Sequence, residues 1–181
     1  WRIIKMSMVI SLPITFAIIP YTSEVLGLIG PNYVQGSISL KIILLSIFPL
    51  GYLFGISTLV YSIGNYRHVF AIGIGTNLPR VLLYFMLVPV YGSVGAALSF
   101  TTGSVIGFAI SILVAKSIGM EIFWRELALL FAIPAGVALS LNYLQVSYII
   151  GIPIIFVLSL IVMIALRVIS KSEVREFLDI L

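Results

Sequence analysis

Two basic side chains fall inside long apolar stretches of the sequence. Arg80 directly follows Pro79 and lies one helical turn after Asn77, and Lys41 lies near the start of another apolar stretch. A charge inside a membrane costs at least a few kcal/mol and usually faces a bundle interior or a wet cavity. A guanidinium in such a cavity is suited to a phosphate or carboxylate, which it binds through two parallel hydrogen bonds. We therefore predict an anion-binding site at Arg80 and Asn77, with Lys41 as a further candidate.

Both cations also have a purely structural interpretation. Arg80 precedes Pro89 by about nine residues, or roughly 14 Å of helix, and its long side chain could extend part of that distance toward the membrane surface or form an ion pair. Lys41 lies closer to the end of its stretch, which favours an interfacial position. The sequence alone leaves these alternatives open.

Side chains that catalyse reactions or bind metals are scarce. The sequence has no cysteine and one histidine, His68. The six acids lie near stretch ends or in the last residues: Glu24, Glu121, Glu126, Glu173, Glu176 and Asp179. Paired-carboxylate catalysis, a Ser-His-Asp triad and a metal cluster all lack the residues they need. We predict no enzyme activity, no cofactor, no metal site and no nucleic-acid partner.

The elements that would position Arg80 are membrane-spanning helices. Hydrophobic residues make up 61% of the 181 residues and charged residues 9%, against about 25% charged in soluble domains. A spanning helix needs roughly 20 mostly apolar residues. Six stretches qualify, at 6–28, 38–63, 68–89, 93–115, 124–143 and 148–168. The sequence predicts an all-α bundle of about six transmembrane helices over residues 1–170, followed by a short amphipathic helix at 171–181 on the cytoplasmic membrane surface.

Basic residues gather at alternate connections between these stretches. They are Arg2 and Lys5, Arg67 with His68, Lys116 and Arg125, and Arg167, Lys171 and Arg175. The connections at 29–37, 89–92 and 143–147 carry no charge. The positive-inside rule then places both termini of the segment on the cytoplasmic side of the cell membrane.

Small residues and prolines predict how the helices pack. The fourth stretch repeats a small residue every four positions, at Gly95, Ser99, Gly103, Gly107, Ser111 and Ala115. Such rows let membrane helices approach closely. The other five stretches each contain an internal proline, at Pro13, Pro49, Pro79, Pro134 and Pro153. We predict kinks there, which favour a transporter with bent helices around a cavity, although prolines are also simply commoner in membrane helices.

The order of several short motifs resembles one known family. They are Leu12-Pro13, the residues VLGLIGPNY at 25–33, Asn77 followed by LVPVYGSVGAA at 87–97, and the end of the chain at 171–181. Together they resemble the carboxy-terminal part of the polysaccharide-biosynthesis, O-antigen-type flippases. These belong to the superfamily of multidrug, oligosaccharidyl-lipid and polysaccharide exporters. The resemblance covers nearly all of the chain, and the Pro-x-x-Gly-x-x-Gly-Ala-Ala element is its most specific part.

The resemblance implies a transporter of 12 to 14 helices in two bundles, of which this chain would be the last six. The chain begins with Trp1 rather than Met, which fits a segment whose partner is the missing amino-terminal helices or a separate subunit. The implied substrate, carried among membrane lipids by alternating access, is a polyprenyl-phosphate-linked oligosaccharide. The family pattern includes Asn77 and does not fix Arg80.

Two other classes remain open. A multidrug exporter of the same superfamily commonly needs an acid within the membrane, which this segment lacks. A membrane anchor or assembly subunit would have no transport role at all.

Overall fold

The computed structural model describes residues 1–144, 146–166 and 168. Within them the chain forms helices and no strand, so the predicted all-α fold is confirmed. The α helices are α1 (Arg2–Ile18), α2 (Thr22–Ile29), α3 (Ser37–Leu45), α4 (Ile47–Ser62), α5 (Tyr66–Ser117), α6 (Trp124–Tyr143) and α7 (Tyr148–Ala165). Two 3-10 segments, Ile19–Tyr21 and Pro31–Gly36, join α1 to α2 and α2 to α3. The tail helix predicted at 171–181 lies outside the described residues.

Helix α5 is a hairpin of two antiparallel arms. Gly92 interrupts its 52 residues with φ 55° and ψ −128°, a backbone conformation that favours glycine because a side chain would clash. Residues before this turn contact residues after it, both close to the turn and far from it. The Leu87 carbonyl lies against Gly95, and His68 Nε2 lies 3.1 Å from Ser117 Oγ. We call residues 66–91 the first arm and residues 93–117 the second arm.

Several helices are long and apolar enough to cross a membrane. By length and composition four helical segments qualify, and a fifth is added when α3, with the 3-10 turn before it, and α4 count as one bent span. Each arm of α5 has about 25 residues, or roughly 38 Å of helix, which is enough to cross a hydrocarbon core of about 30 Å. Counting the arms separately gives six antiparallel segments in the described part of the chain, close to the six stretches of the sequence.

The ends of these segments alternate between two ends of the bundle. Lys5 Nζ lies 3.3 Å from Glu126 Oε2, which joins the start of α1 to the start of α6. Ile4 also lies against Gly55 in the second half of α4. The described cations Arg2, Lys5, Arg67, Lys116 and Arg125 therefore share one end, which we call the basic end.

The opposite end holds the Gly92 turn and the uncharged connections. Ser39 Oγ, near the start of α3, lies 3.1 Å from Ser93 Oγ at the start of the second arm. Tyr21, after α1, packs on Gly151 near the start of α7. The charge asymmetry of the sequence is thus an asymmetry of the folded bundle.

Most of the predicted proline kinks are not where the helices break. Four helices continue through their prolines, at Pro13, Pro79, Pro134 and Pro153. The breaks lie at Ile19–Tyr21, at Gly92 and at Ser46, where the second span bends by 41°. Pro49 lies in the first turn of α4, where a proline costs little because its missing N–H would have no partner anyway. The predicted continuous spans 6–28 and 38–63 are therefore each two helices.

Helix α1 is the centre of the core. It contacts α4, α6 and α7 and buries Met8 and Leu12 almost completely. The first arm of α5 lies at the edge and buries only Ile72 and Thr76. The candidate site residues Asn77 and Arg80 belong to this edge element.

Candidate functional site

Arg80 lies between the two arms of α5, near the middle of the first arm. Its Cζ is 4.1 Å from the centroid of the Phe100 ring, within the range of a cation–π contact. Nη2 donates to Ser104 Oγ at 3.1 Å, and Nη1 makes a longer hydrogen bond of 3.4 Å to Asn77 Oδ1. The first arm and the second arm therefore both hold the guanidinium.

The guanidinium keeps unused hydrogen-bonding capacity. Its Nε is buried and has no hydrogen-bond partner, and no carboxylate among the described residues forms an ion pair with it. A buried donor without a partner costs about 1–3 kcal/mol. A cation held this way, without a counter-charge, is prepared to bind an anion.

Arg80 does not extend toward the nearer end of the bundle. One terminal nitrogen contacts Asn77, which lies one helical turn nearer the basic end. The other contacts Ser104, which is also farther from the Gly92 turn than Gly103, the residue that faces the Arg80 backbone. This direction is the usual one, because helical side chains point toward the helix N-terminus. The charge therefore lies on the basic side of its own backbone and away from the nearer end of the bundle.

Asn77 belongs to an open groove on the first arm. Its Nδ2 donates to the Gly73 carbonyl at 2.9 Å, so part of the side-chain amide is used by the backbone of its own arm. The groove is shallow and is formed by one face of this arm alone, and its other lining residues are apolar or glycine: Val69, Phe70, Gly73, Ile74, Leu78 and Val81. Asn77 is exposed and links this groove to Arg80.

Lys41 lies beside the second arm, between Ser39, which meets Ser93 near the Gly92 turn, and Ile42. The carbonyl of the next residue, Ile42, accepts a hydrogen bond of 2.9 Å from Thr101 Oγ1, while Arg80 covers the neighbouring Phe100. Lys41 is exposed. Among the described residues no hydrogen bond joins it to Arg80 or Asn77, so the fold gathers two of the three candidates and leaves Lys41 apart.

The row of small residues lies at the contact between the arms and toward α4. Its members Gly95, Ser99, Gly103, Gly107, Ser111 and Ala115 are all buried. A Cβ added to Gly103 would lie 2.8 Å from both Arg80 Cβ and the Thr76 carbonyl oxygen. Gly107 lies against Thr76 Oγ1 and Leu53 of α4. Glycine at these positions is what allows the arms to bring Arg80 against Ser104.

Sequence reasoning missed the residues that hold Arg80. Phe100 and Ser104 carry no unusual signal, since a phenylalanine and a serine in an apolar stretch are ordinary. The antiparallel register around Gly92 would have paired the region of Arg80 with that of Gly103, but it required recognising the turn. The sequence also gave no sign that Trp1 Nε1 donates to Glu126 Oε2 at 2.8 Å beside Lys5.

No protein-family model, no curated protein sequence and no solved structure matches the chain. The class that fold and composition define is that of helical membrane proteins.

Proposed function

We propose that the chain is part of a transporter in the cell membrane that moves polyprenyl-phosphate-linked oligosaccharide from the cytoplasmic leaflet to the outer one. The observation that carries the proposal is the guanidinium of Arg80 in the middle of an apolar hairpin, which has no carboxylate partner among the described residues and leaves Nε unused. A phosphate would supply the missing counter-charge and accept two hydrogen bonds at once.

The surroundings of Arg80 suit a substrate with a charged head and a lipid tail. The apolar groove beside Asn77 runs along the exposed face of the same arm, where a polyprenyl chain can lie among membrane lipids. A phosphate at Arg80 and a tail in this groove would need no separate binding element. Lys41, on the neighbouring helix α3, would be a second cation for the head group.

The broken spans suit movement between inward-open and outward-open states. The 41° bend at Ser46 and the 3-10 turn at Ile19–Tyr21 lie in the two spans before α5. Discontinuous helices are typical of transporters that alternate access around a central site. With the basic end in the cytoplasm, Gly92 and the opposite end would face outward.

Replacing Arg80 tests this proposal directly. In cells that produce the protein from its own gene, we expect Arg80→Ala to reduce lipid-linked sugar in the outer leaflet by roughly tenfold or more, because a hydrogen bond to a charged group is lost. Arg80→Lys keeps the charge but not the planar fork, and should retain part of the activity. The measurement is labelling of outer-leaflet sugar by a membrane-impermeant lectin.

The matched control is Arg67→Ala, because Arg67 is an exposed arginine on the same arm at the basic end. It should leave translocation near the original level. Unchanged translocation in Arg80→Ala would remove Arg80 from the site. Unchanged translocation after deletion of the gene would overturn the transport function and leave an anchoring role.

A further inference from the structure

Ser104 holds the side chain of Arg80 against the second arm of α5. Its Oγ accepts a hydrogen bond from Arg80 Nη2 at 3.1 Å and donates one to the Phe100 carbonyl at 2.7 Å. Ser104 is fully buried, and because its own hydrogen is already donated, it offers Arg80 an oxygen lone pair. The ring of the same Phe100 lies 4.1 Å from Arg80 Cζ. The second arm therefore supplies an uncharged partner for the charge of Arg80.

An oxyanion that binds Arg80 through two hydrogen bonds needs the nitrogen that Ser104 holds. A guanidinium binds an oxyanion through two parallel N–H groups, either Nε with Nη2 or Nη1 with Nη2, so both arrangements use Nη2. Nε is buried, and Nη1 donates to Asn77 Oδ1 at 3.4 Å. The oxygens of Ser104 and Asn77 therefore lie beside the nitrogens that the anion would contact, and they repel its oxygens.

Of these two oxygens, that of Ser104 is the harder to displace. The bond to Asn77 is long, and Asn77 is exposed and lies on the same arm as Arg80, so its side chain can turn away. Rotation of the buried Ser104 hydroxyl would break its bond to the carbonyl one helical turn before it. The second arm is also held from its other side, since Thr101 Oγ1 donates to the Ile42 carbonyl of α3 at 2.9 Å. To bind an anion in this way, Arg80 itself must leave the second arm.

We propose that Ser104 and an anionic ligand compete for Arg80, so that Ser104 lowers the affinity of the site for phosphate. This inference rests on the proposed function and adds the regulation of its phosphate site. Because coupling between two contacts is reciprocal, a bound phosphate also weakens the contact between the two arms at Ser104. A partner that takes up the guanidinium when the phosphate leaves favours release, which a transporter needs as much as binding.

Binding of phosphate to the whole chain in lipid nanodiscs tests the competition. The probes are geranyl phosphate and inorganic phosphate, and isothermal titration calorimetry measures their dissociation constants. We expect Ser104→Ala to bind geranyl phosphate about fivefold more tightly, because the competing hydrogen bond is lost. Arg80→Ala should lose binding. A gain for both probes would show that free phosphate suffices as the ligand, whereas a gain for geranyl phosphate alone would assign the site to a lipid-linked phosphate.

The matched control is Ser99→Ala on the same arm. Ser99 is fully buried, and its Oγ donates to the Gly95 carbonyl at 2.7 Å, as Ser104 does to Phe100. The hydrogen bonds of Arg80 in the described part of the chain go to Asn77 and Ser104 and not to Ser99. Ser99→Ala should therefore leave the affinity unchanged. A serine that only supports the fold would weaken binding when it is lost, so a gain separates competition from a structural role.

The other outcomes separate this inference from the proposed function. Weaker binding in Ser104→Ala would make the serine part of the anion site, and unchanged binding would mean that it does not compete. Either result overturns the inference while Arg80 still binds phosphate. Absence of binding in both the unchanged chain and Ser104→Ala would overturn the phosphate site itself, and this inference with it.

Discussion

Helix α1 and the first arm of α5 differ in what covers them, although their sequences are equally apolar. The spans that contain them have the same mean hydropathy, 1.9, over a membrane-length window. Half of that window is buried in Arg2–Ile29 but only 11% in Tyr66–Ser117. Apolarity therefore occurs both in a helix covered by protein and in a largely uncovered one, and it does not by itself decide which of the two a helix becomes.

The two helices also differ in how their charged side chains are paired. Lys5, in α1, is 7% exposed and lies against Glu126. Arg80, in the first arm, has no carboxylate partner among the described residues, and its neighbour Asn77 is exposed. A central helix satisfies its charge inside the bundle, whereas an edge helix can offer its charge to a ligand.

The largest expected effect is at the contact between the two arms of α5, where the row of small residues in the second arm packs on the first arm. Gly103→Leu places a side chain against the Thr76 carbonyl and Arg80 Cβ, which only movement of the arm can relieve. We expect a loss of about 3 kcal/mol in the free energy of unfolding, at the upper end of the cost of overpacking. Equilibrium unfolding in mixed micelles measures it.

Gly73→Leu is the matched control on the outer face of the first arm, where an added Cβ meets nothing within 4 Å. It should be neutral or stabilising by up to about 1 kcal/mol, because leucine favours a helix more than glycine does. Equal losses in the two variants would mean that the first arm is covered on both faces, and the contrast with α1 would disappear.

A smaller effect is expected from truncating one leucine in each helix. Leu12 of α1 is 1% exposed, and Leu82 of the first arm is 56% exposed. Leu12→Ala should cost about 2 kcal/mol, below most values in soluble cores, because the unfolded helix stays in lipid and only packing is lost. Leu82→Ala should change the unfolding free energy by less than about 0.5 kcal/mol. A similar cost at both positions would contradict the assignment of Leu82 to an uncovered face.

The contrast between α1 and the first arm also shows what the sequence can predict. Hydropathy and the spacing of basic residues predict the helices and the common end of Arg2, Lys5, Arg67, Lys116 and Arg125, because both depend on local composition. The LVPVYGSVGAA motif is explained by the hairpin, since Gly92 needs a positive φ and Gly95 lies against the Leu87 carbonyl. The motif is therefore evidence for the turn, and it gives no information about a substrate.

The features that the sequence could not predict depend on contacts between helices. The break at Ser46 lies just before Pro49, where a proline disrupts the helix, but the size of the 41° bend does not follow from the sequence. Phe100 and Ser104 meet Arg80 from the other arm of α5. Their positions depend on tertiary packing, which a sequence pattern within one span does not predict.

The smallest expected effect concerns a hydroxyl buried beside α1. Tyr52 of α4 is fully buried, and its ring packs edge-on against Phe108 at 5.2 Å, but its hydroxyl has no hydrogen-bond partner. Tyr52→Phe should raise the unfolding free energy by about 1 kcal/mol, because a desolvated polar group is removed and the ring contact remains. Tyr84→Phe, on the half-buried side of the first arm, is the matched control and should have almost no effect. A loss of stability in Tyr52→Phe would show that the hydroxyl has a partner in the membrane, and the core around α1 would then be less dry than its burial indicates.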